Sequence, residues 1–160
     1  MKTMSYFQTC VGPIGIAEEG EAITNLWFQK ERAPKEAVES KKDILIEASA
    51  QLTEYLSGKR NKFSLPLAPV GTQFKSKVWE SLRSIPYGQT RSYKEVASGI
   101  GAPGASRAIG MACNRNPISI IIPCHRVIGS NGRLVGYLGG LDLKKNLLEL
   151  ERRYDQTAMI

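Results

Sequence analysis

The chain has 160 residues, 42% of them apolar, which suits one compact domain or two small ones and excludes global disorder. No apolar run approaches the roughly 20 residues of a membrane-spanning helix, and the N-terminal segment lacks the apolar stretch of a signal peptide, so we expect a soluble intracellular protein. The net charge is +7. Residues 1–70 hold nine basic and nine acidic residues, whereas residues 71–160 hold thirteen basic and six acidic ones. A basic excess confined to the second part of the chain indicates either a surface for a polyanion or an ordinary solvated basic surface.

Residues 1–70 are predicted to form a small N-terminal α/β domain, an antiparallel sheet followed by a helix. Residues 6–11 and 14–17 have extended patterns, and an acidic, glycine-bearing cluster makes a turn into a third segment, residues 22–28. Apolar residues recur at helical spacing over residues 41–56. The proline-bearing segment 63–70 is predicted to be an extended linker, and we place the domain boundary at its end.

Residues 71–160 are predicted to form a mainly helical domain. Thr72 is a candidate cap for a helix that ends at residues 85–88 and has four apolar residues on one face. Those residues are Phe74, Val78, Trp79 and Leu82. Two short helices, residues 92–100 and 104–113, follow with a glycine- and proline-bearing turn between them. This is a helix-turn-helix pattern, which also occurs as a plain packing unit.

The second helix of this pair is rich in small residues, with Arg107 as its one long side chain, so its backbone could approach another surface closely. Gly110 lies in the middle of the helix, where glycine costs about 1 kcal/mol relative to alanine. We therefore expect a packing or contact reason for Gly110.

The candidate reactive site follows an apolar run, residues 118–122, which leads through Pro123 to Cys124 and His125. A Cys-His pair is also typical of a buried structural cysteine and a core histidine. However, His125 is the only histidine, so a metal cluster with several histidines is excluded and any imidazole chemistry must occur here. Neighbouring side chains of an extended segment point to opposite sides, so we expect proton exchange between the two through a water molecule.

Glu151 is a candidate for orienting the imidazole. A helix is predicted after Gly139 and Gly140, and Glu151 lies four residues beyond Leu147 at the border of its apolar stripe. The stripe consists of Leu143, Leu147, Leu150 and Tyr154. From this position a carboxylate can support thiolate formation, as in a Cys-His-acid triad. A surface ion pair with Arg152 or Lys144 is the alternative.

Several spaced motifs resemble the O6-alkylguanine-DNA alkyltransferases, the methylated-DNA–protein-cysteine methyltransferases. In chain order they are IPYGQT at 85–90, SY at 92–93, SRAIG at 106–110, NP at 116–117, IPCHRV at 122–127, GGL at 139–141 and LL at 147–148. The resemblance covers about residues 71–153, and the first 70 residues resemble the family's variable N-terminal domain only in length and pattern. It implies an α+β fold whose helix-turn-helix binds double-stranded DNA.

The resemblance implies that Cys124 accepts an alkyl group from O6 of guanine, that His125 acts through water as its base, and that Glu151 orients His125. Asn116 would be the hinge between the recognition helix and the active-site loop. Tyr93 would contact guanine N3 and assist proton delivery, while Arg107 would fill the gap left by a flipped nucleotide. The resemblance also implies that the helix-turn-helix uses the minor groove. The other residues assigned to substrate or DNA are Ala105, Ser106, Ala108, Gly110, Arg126, Val127, Ser130, Tyr137 and Leu138.

An S-alkyl thioether has no good leaving group, so one chain is expected to repair one lesion as a suicide methyltransferase without a cofactor. No zinc site is expected, because the first domain offers only Cys10 where some family members have several ligands. Two residues depart from the family's pattern at the pocket for the alkyl group. Leu138 stands where the family commonly has a small residue and is expected to narrow or reshape the pocket. Ser119 replaces a proline that some members carry and is expected to loosen the pocket wall.

We expect a monomer without a membrane or an obligate protein partner, in the cytoplasm with the nucleoid, or in the nucleus of a eukaryote. The range of alkyl groups, activity on O4-alkylthymine, cooperative binding along DNA and the role of the first domain stay open. A non-catalytic binder of alkylated DNA is disfavoured by Cys124. A cysteine hydrolase would leave the basic half and Arg107 without a purpose, and a transcriptional regulator would leave Cys124 unexplained.

Overall fold

The computed structural model describes residues 1–155, and the chain divides into two compact units. Unit 1 comprises residues 1–70 and 117–119, and unit 2 comprises residues 71–116 and the chain from residue 120 onward. Residues 117–119, which the sequence placed in the second domain, pair with Leu26: its N–H donates to Pro117 O at 2.8 Å, and Ser119 N donates to its carbonyl at 3.4 Å. The last five residues of the predicted second domain, 156–160, lie outside the described residues.

Unit 1 contains a four-stranded sheet. Three strands, β1 (Thr3–Thr9), β2 (Gly12–Glu19) and β3 (Ala22–Trp27), form the predicted antiparallel arrangement. With a fourth strand, β4 (Val38–Glu39), the spatial order is β3-β2-β1-β4. Gly20 and Glu21 both have positive φ between β2 and β3, as a tight hairpin turn requires. The fourth strand, β4 (Val38–Glu39), is parallel to β1 and was not predicted, because two exposed residues carry no periodic pattern.

The helix of unit 1, α1 (Asp43–Leu56), confirms the helical spacing found in the sequence and packs on β1 and β2. Segment 63–70, predicted to be an extended linker, pairs with the sheet. Ile23 N donates to Pro66 O and Ala68 N donates to Ile23 O, both at 2.8 Å, so this segment pairs with β3. Pro66 and Pro69 have no N–H group to donate, but the carbonyl of Pro66 and the N–H of Ala68 still form hydrogen bonds with the edge strand β3.

Up to residue 155, unit 2 has four α-helices: α2 (Gln73–Arg83), α3 (Tyr93–Gly99), α4 (Ser106–Asn114) and α5 (Leu141–Tyr154). Thr72 caps α2 as predicted, accepting a hydrogen bond from Lys75 N at 3.2 Å. Ser92 and Glu95 form a reciprocal capping box at the start of α3. Phe74 was predicted on the buried face of α2 but is 36% exposed, since it lies in the first turn and the buried residues of the helix begin at Val78.

The packing of unit 2 brings α4 and the segment around Cys124 close to α3 and α5. α2 packs on α4, where Trp79 Nε1 donates to Ala112 O at 2.9 Å, and α3 contacts α4. Two short parallel strands, β5 (Arg91–Ser92) and β6 (Val127–Ile128), join the start of α3 to the residues after Cys124. Within residues 1–155, no helix is both long and apolar enough to cross a bilayer.

Candidate active site

A pocket of about 600 Å³ opens in unit 2, a size typical of small-molecule sites. Cys124, only 3% exposed, contributes to its wall. α3 and α4 supply one part of the wall and the loop before α5 supplies another. The lining residues are Tyr93, Ser106, Arg107, Gly110, Met111, Cys113, Asn114, Cys124, Val135, Gly136, Tyr137 and Leu138.

The segment Cys124–Arg126 is one turn of 3-10 helix rather than the extended strand assumed from the sequence. Arg126 N donates to Pro123 O at 3.0 Å, which closes the turn and removes the strict alternation of neighbouring side chains. Upstream, Ile120 has a φ of 71°, a left-handed conformation that β-branched residues rarely adopt. The path of the chain into Cys124 is therefore set by local geometry that no sequence pattern indicated.

Asn116 contacts the sulfur directly. Its Nδ2 donates to Ile122 O at 2.8 Å and lies 3.2 Å from Cys124 Sγ, which connects the end of α4 to the active-site turn. Burial raises the pKa of Cys124 to about 11, while the Asn116 hydrogen bond and the charge of Lys144 oppose that rise. Desolvation therefore outweighs the neighbouring groups that favour the thiolate.

His125 and Glu151 meet as a buried pair, with Nε2 and Oε2 2.7 Å apart. Although burial opposes ionisation of Glu151, its hydrogen bonds and the charges of His125 and Arg126 bring the carboxyl pKa well below the usual range. An ionised carboxylate can only accept, so Nε2 donates and Nδ1 is the basic nitrogen of the neutral ring. Burial lowers the pKa of His125, against the raising effect of Glu151, so this neutral form is favoured at pH 7.

Arg126 is buried beside this pair and does not line the pocket. Its Nε and Nη2 donate to the two oxygens of Glu151 at 2.8 and 3.0 Å, and its Nη1 donates to Ile85 O at 2.7 Å. Val127, also expected at the DNA, is buried in β6, and Ser130 is exposed but outside the pocket lining. The family resemblance assigned Arg126 to substrate or DNA, whereas in the structure its partner is Glu151, 25 residues away in the sequence.

Lys144 is the functional candidate that sequence reasoning missed. Its side chain is buried, and Nζ donates to Val135 O at 3.1 Å and Gly136 O at 3.2 Å. Tyr93 Oη also donates to Val135 O, at 2.9 Å, so two polar groups fix the same part of the pocket wall. The buried line of α5 is Lys144, Leu147 and Glu151, whereas Tyr154 of the predicted stripe is 43% exposed. The sequence signal for Lys144 was its spacing, because residues three and four positions apart, such as Lys144, Leu147 and Glu151, lie on one face of a helix.

α4 contributes three of its predicted residues, Ser106, Arg107 and Gly110, to the pocket wall, whereas Ala105 and Ala108 do not line it. Arg107 is exposed and forms no ion pair within residues 1–155. A methyl group added at Gly110 would meet only the Tyr93 ring, at 3.8 Å, which is an ordinary contact. Internal packing therefore does not explain why this position is glycine.

Tyr137 and Leu138 line the pocket as expected, but Ser119 does not. Ser119 is buried in unit 1, so its replacement of proline has no place in the wall of this pocket, contrary to the expectation that it loosens the wall. Over residues 1–155, no group of three or more histidine, cysteine or acidic side chains is placed to hold a metal ion.

Comparison with known proteins supports one family over both units. The profile described as "6-O-methylguanine DNA methyltransferase, DNA binding domain" matches residues 73–153, and that of the "ribonuclease-like domain" of the same proteins matches residues 3–69. The methylated-DNA–protein-cysteine methyltransferase of Methanosarcina acetivorans is 49% identical over 148 residues, covering 91% of this chain and 95% of that protein. The corresponding protein of Methanosarcina barkeri is 52% identical over 145 residues, covering 88% and 91%.

Among solved structures, the crystal structure of Mycobacterium tuberculosis OGT in complex with DNA superimposes with a TM-score of 0.90 at 42% identity, covering 95% of this chain and 94% of that one. The agreement in sequence and fold spans nearly the whole chain. The chain belongs to the 6-O-methylguanine DNA methyltransferase family.

Proposed function

We propose that the chain repairs DNA by transferring the alkyl group of O6-alkylguanine irreversibly to Cys124 Sγ. One observation carries this proposal: Cys124 contributes to the pocket wall, and the next residue is a histidine held at 2.7 Å by the buried carboxylate of Glu151. A thiol, a base and an orienting acid are the parts that nucleophilic catalysis by cysteine needs. Family membership supports the same assignment.

In the proposed reaction, His125 Nδ1 takes the proton of the Cys124 thiol through a water molecule, and Glu151 stabilises the imidazolium that forms. The thiolate attacks the alkyl carbon, the C–S bond forms, and the bond between that carbon and O6 breaks with its electrons remaining on guanine. Tyr93 Oη assists delivery of a proton to N3 of the departing guanine, and the imidazolium of His125 gives up the proton taken from the thiol, so that both side chains end neutral. Burial raises the pKa of Tyr93 to about 12, so its hydroxyl is protonated at neutral pH and can act as a donor.

The cysteine is used once. The product is an S-alkyl thioether, which has no good leaving group, and none of the pocket-lining residues is a second nucleophile in an ionised form. Cys113 also lines the pocket, but burial raises the pKa of its thiol still further than that of Cys124. Cys113 is therefore a neutral part of the wall.

The proposed substrate is duplex DNA, and its damaged nucleotide must leave the base stack to reach Cys124. α4 suits the approach, since its small residues let the backbone come close while the exposed Arg107 lies at the pocket. The basic excess of residues 71–160 supplies charge for phosphate contacts. The DNA complex of the Mycobacterium tuberculosis relative supports this partner.

We also propose that the chain acts as a monomer in the compartment that holds the DNA. Neither the reaction nor the pocket requires a residue from a second copy, because all residues that line the pocket belong to unit 2. Light scattering of the purified chain at micromolar concentration is expected to give the mass of one chain, and a stable dimer would contradict this.

Intact-protein mass spectrometry tests the reaction. After incubation with duplex DNA containing O6-methylguanine, each chain is expected to carry one methyl group on Cys124, and product guanine should not exceed the amount of protein. Cys124→Ala should bind the DNA without a mass gain, while Cys10→Ala, at an exposed cysteine outside the pocket, should react normally. Repeated turnover with an unmodified protein would indicate a hydrolase, and binding without any mass gain would indicate a non-catalytic binder.

A further inference from the structure

The Arg126 side chain lies in a polar contact network rather than at the surface. It is 8% exposed, and three of its nitrogens donate hydrogen bonds: two to Glu151 and one to Ile85 O. The guanidinium carbon also lies 5.7 Å from the centre of the Tyr87 ring, within range of a cation–π contact. A side chain bonded in this way is not available to a phosphate unless the network breaks.

The Glu151 carboxylate is the centre of the network. Oε1 accepts from Arg126 Nε and, at 3.2 Å, from Gly88 N, while Oε2 accepts from His125 Nε2 and Arg126 Nη2. A carboxylate has about four lone-pair positions, and these four contacts engage both of its oxygens. Rotation of Glu151 would break several buried hydrogen bonds at once, and His125 is therefore held to one orientation through Arg126.

The same network divides the negative charge of Glu151 between Arg126 and His125. One carboxylate faces both a permanent cation, Arg126, and the imidazole of His125, which is a cation only when protonated. Arg126 reduces the attraction of Glu151 for an imidazolium, and it repels one directly. Lys144 of α5 adds a second positive charge near His125, and the ring of Tyr137 packs edge-on at 6.4 Å.

We propose that Arg126 is a positioning residue for alkyl transfer, because its buried guanidinium fixes Glu151 and takes a share of the carboxylate charge that His125 would otherwise receive alone. His125 then rests neutral and can accept the thiol proton. This role replaces the DNA contact that the sequence suggested for Arg126. The role of Arg126 in alkyl transfer rests on the proposed function, but the first test of this proposal needs neither DNA nor substrate.

The chain contains one histidine, so its imidazole signals in NMR spectra need no assignment. In the wild-type protein the imidazole is expected to titrate below its ordinary value of 6.5. In Arg126→Met, Glu151 loses its permanent counter-ion and its charge acts more fully on His125, so the imidazole pKa should rise by about one unit or more. Arg126→Lys keeps the charge without the two-pronged contact and should restore most of the wild-type titration. Arg152→Met, at an exposed arginine beside Glu151, is the matched control and should change nothing.

Kinetics and DNA binding separate this role from the alternatives. With O6-methylguanine DNA, the acid limb of the single-turnover rate should move up by the same amount as the imidazole pKa in Arg126→Met, while the salt dependence of DNA binding stays that of the wild type. A salt slope reduced by about one would instead make Arg126 a phosphate contact.

An unchanged imidazole titration in folded Arg126→Met overturns the proposal, and so does a wild-type imidazole that titrates at or above 6.5. Should Arg126→Met not fold, Arg126→Gln, which can still donate to a neighbouring oxygen but has no charge, is held to the same outcome. Failure of alkyl transfer in the wild type would contradict the proposed function and leave the titration result standing.

Discussion

At Cys124 the surroundings favour the thiol over the thiolate. Burial raises the pKa to about 11, and the hydrogen bond from Asn116 offsets only part of that rise. An acceptor that stays a thiol at neutral pH is protected from stray electrophiles, since only the thiolate is strongly nucleophilic. Reaction then requires His125 to remove the proton when a substrate occupies the pocket.

This environment predicts a pH dependence for a small electrophile. The ionised fraction of Cys124 increases with pH up to its pKa, so its alkylation by iodoacetamide should accelerate about tenfold for each pH unit between 7 and 10. Mass spectrometry of the Cys124 peptide, in a Cys10→Ser background that removes the exposed thiol, measures the rate. Asn116→Ala should shift the profile to higher pH by removing the hydrogen bond to sulfur. A plateau near pH 8.5 would show that the folded site does not suppress the thiolate.

The placement of Cys124 at a pocket and of Glu151 beside His125 could be predicted from the sequence, because each residue is recognisable by its own chemistry or by its distance from a helix stripe. Arg126 and Lys144 could not be placed correctly, because charged side chains are expected in solvent unless a partner is known. The partner of Arg126 lies 25 residues further along the chain, and Lys144 donates to backbone carbonyls, which no side-chain pattern marks. Burial of charge is decided by tertiary contacts.

Among the elements, the long periodic ones were predictable and the short irregular ones were not. α1 and α2 carry apolar residues every three or four positions, and their observed bounds lie close to the predicted ones. β4 has two residues and the turn at Cys124–Arg126 has three, too few for any period to be visible. Such elements depend on pairing with a neighbour or on hydrogen bonds within a turn.

α5 supports the pocket wall through Lys144, and two adjacent lysines allow a matched test. Lys144→Met removes the donor to Val135 O and Gly136 O, so residues 133–138 should exchange amide hydrogens faster and single-turnover alkylation should slow. Lys145→Met changes the neighbouring exposed lysine on the same helix and loses the same charge. Hydrogen exchange read by mass spectrometry compares the two. Equal exchange in both variants would mean that the ammonium does not hold the loop.

Arg107 of α4 lies at the pocket and forms no ion pair within residues 1–155. A side chain that fills the space left by an extruded nucleotide must be available in this way. Base extrusion costs a few kcal/mol, and each 1.4 kcal/mol of lost compensation slows duplex repair about tenfold, whereas a free base needs no extrusion. Arg107→Ala should therefore slow reaction with duplex O6-methylguanine much more than reaction with free O6-methylguanine. Arg115→Ala, at an exposed arginine just after the same helix and outside the pocket lining, is the control, which can weaken DNA binding but should leave the maximal rate on duplex DNA unchanged.

The competing role for Arg107 is a phosphate contact, which affects binding alone. Single-turnover kinetics at saturating protein distinguish the two, because a higher protein concentration compensates for weak binding but not for slow extrusion. An unchanged maximal rate on duplex DNA would remove the role in extrusion and leave Arg107 as one basic contact among several.

Over the whole molecule, charge is distributed as unevenly as the sequence indicated, and this bears on where DNA binds. Residues 1–70 have no net charge, and residues 71–160 carry the entire excess of seven positive charges. Composition alone left two explanations open, a polyanion surface and a solvated basic surface. The location of the candidate active site in unit 2 favours the first, because the charge and the pocket belong to the same part of the chain.

Two double variants with the same net charge decide between these explanations. Lys94→Gln with Arg115→Gln neutralises exposed positions of α3 and of the residue after α4, whereas Lys35→Gln with Lys59→Gln neutralises exposed positions of unit 1. Each phosphate contact contributes about −0.9 to the slope of log affinity against log salt concentration. The first variant should lower the magnitude of the slope by up to about two contacts, and the second should keep the wild-type slope. Fluorescence anisotropy of a labelled duplex over a salt series measures both, and equal losses would show that DNA responds to the net charge of the molecule and not to a surface on α3 and α4.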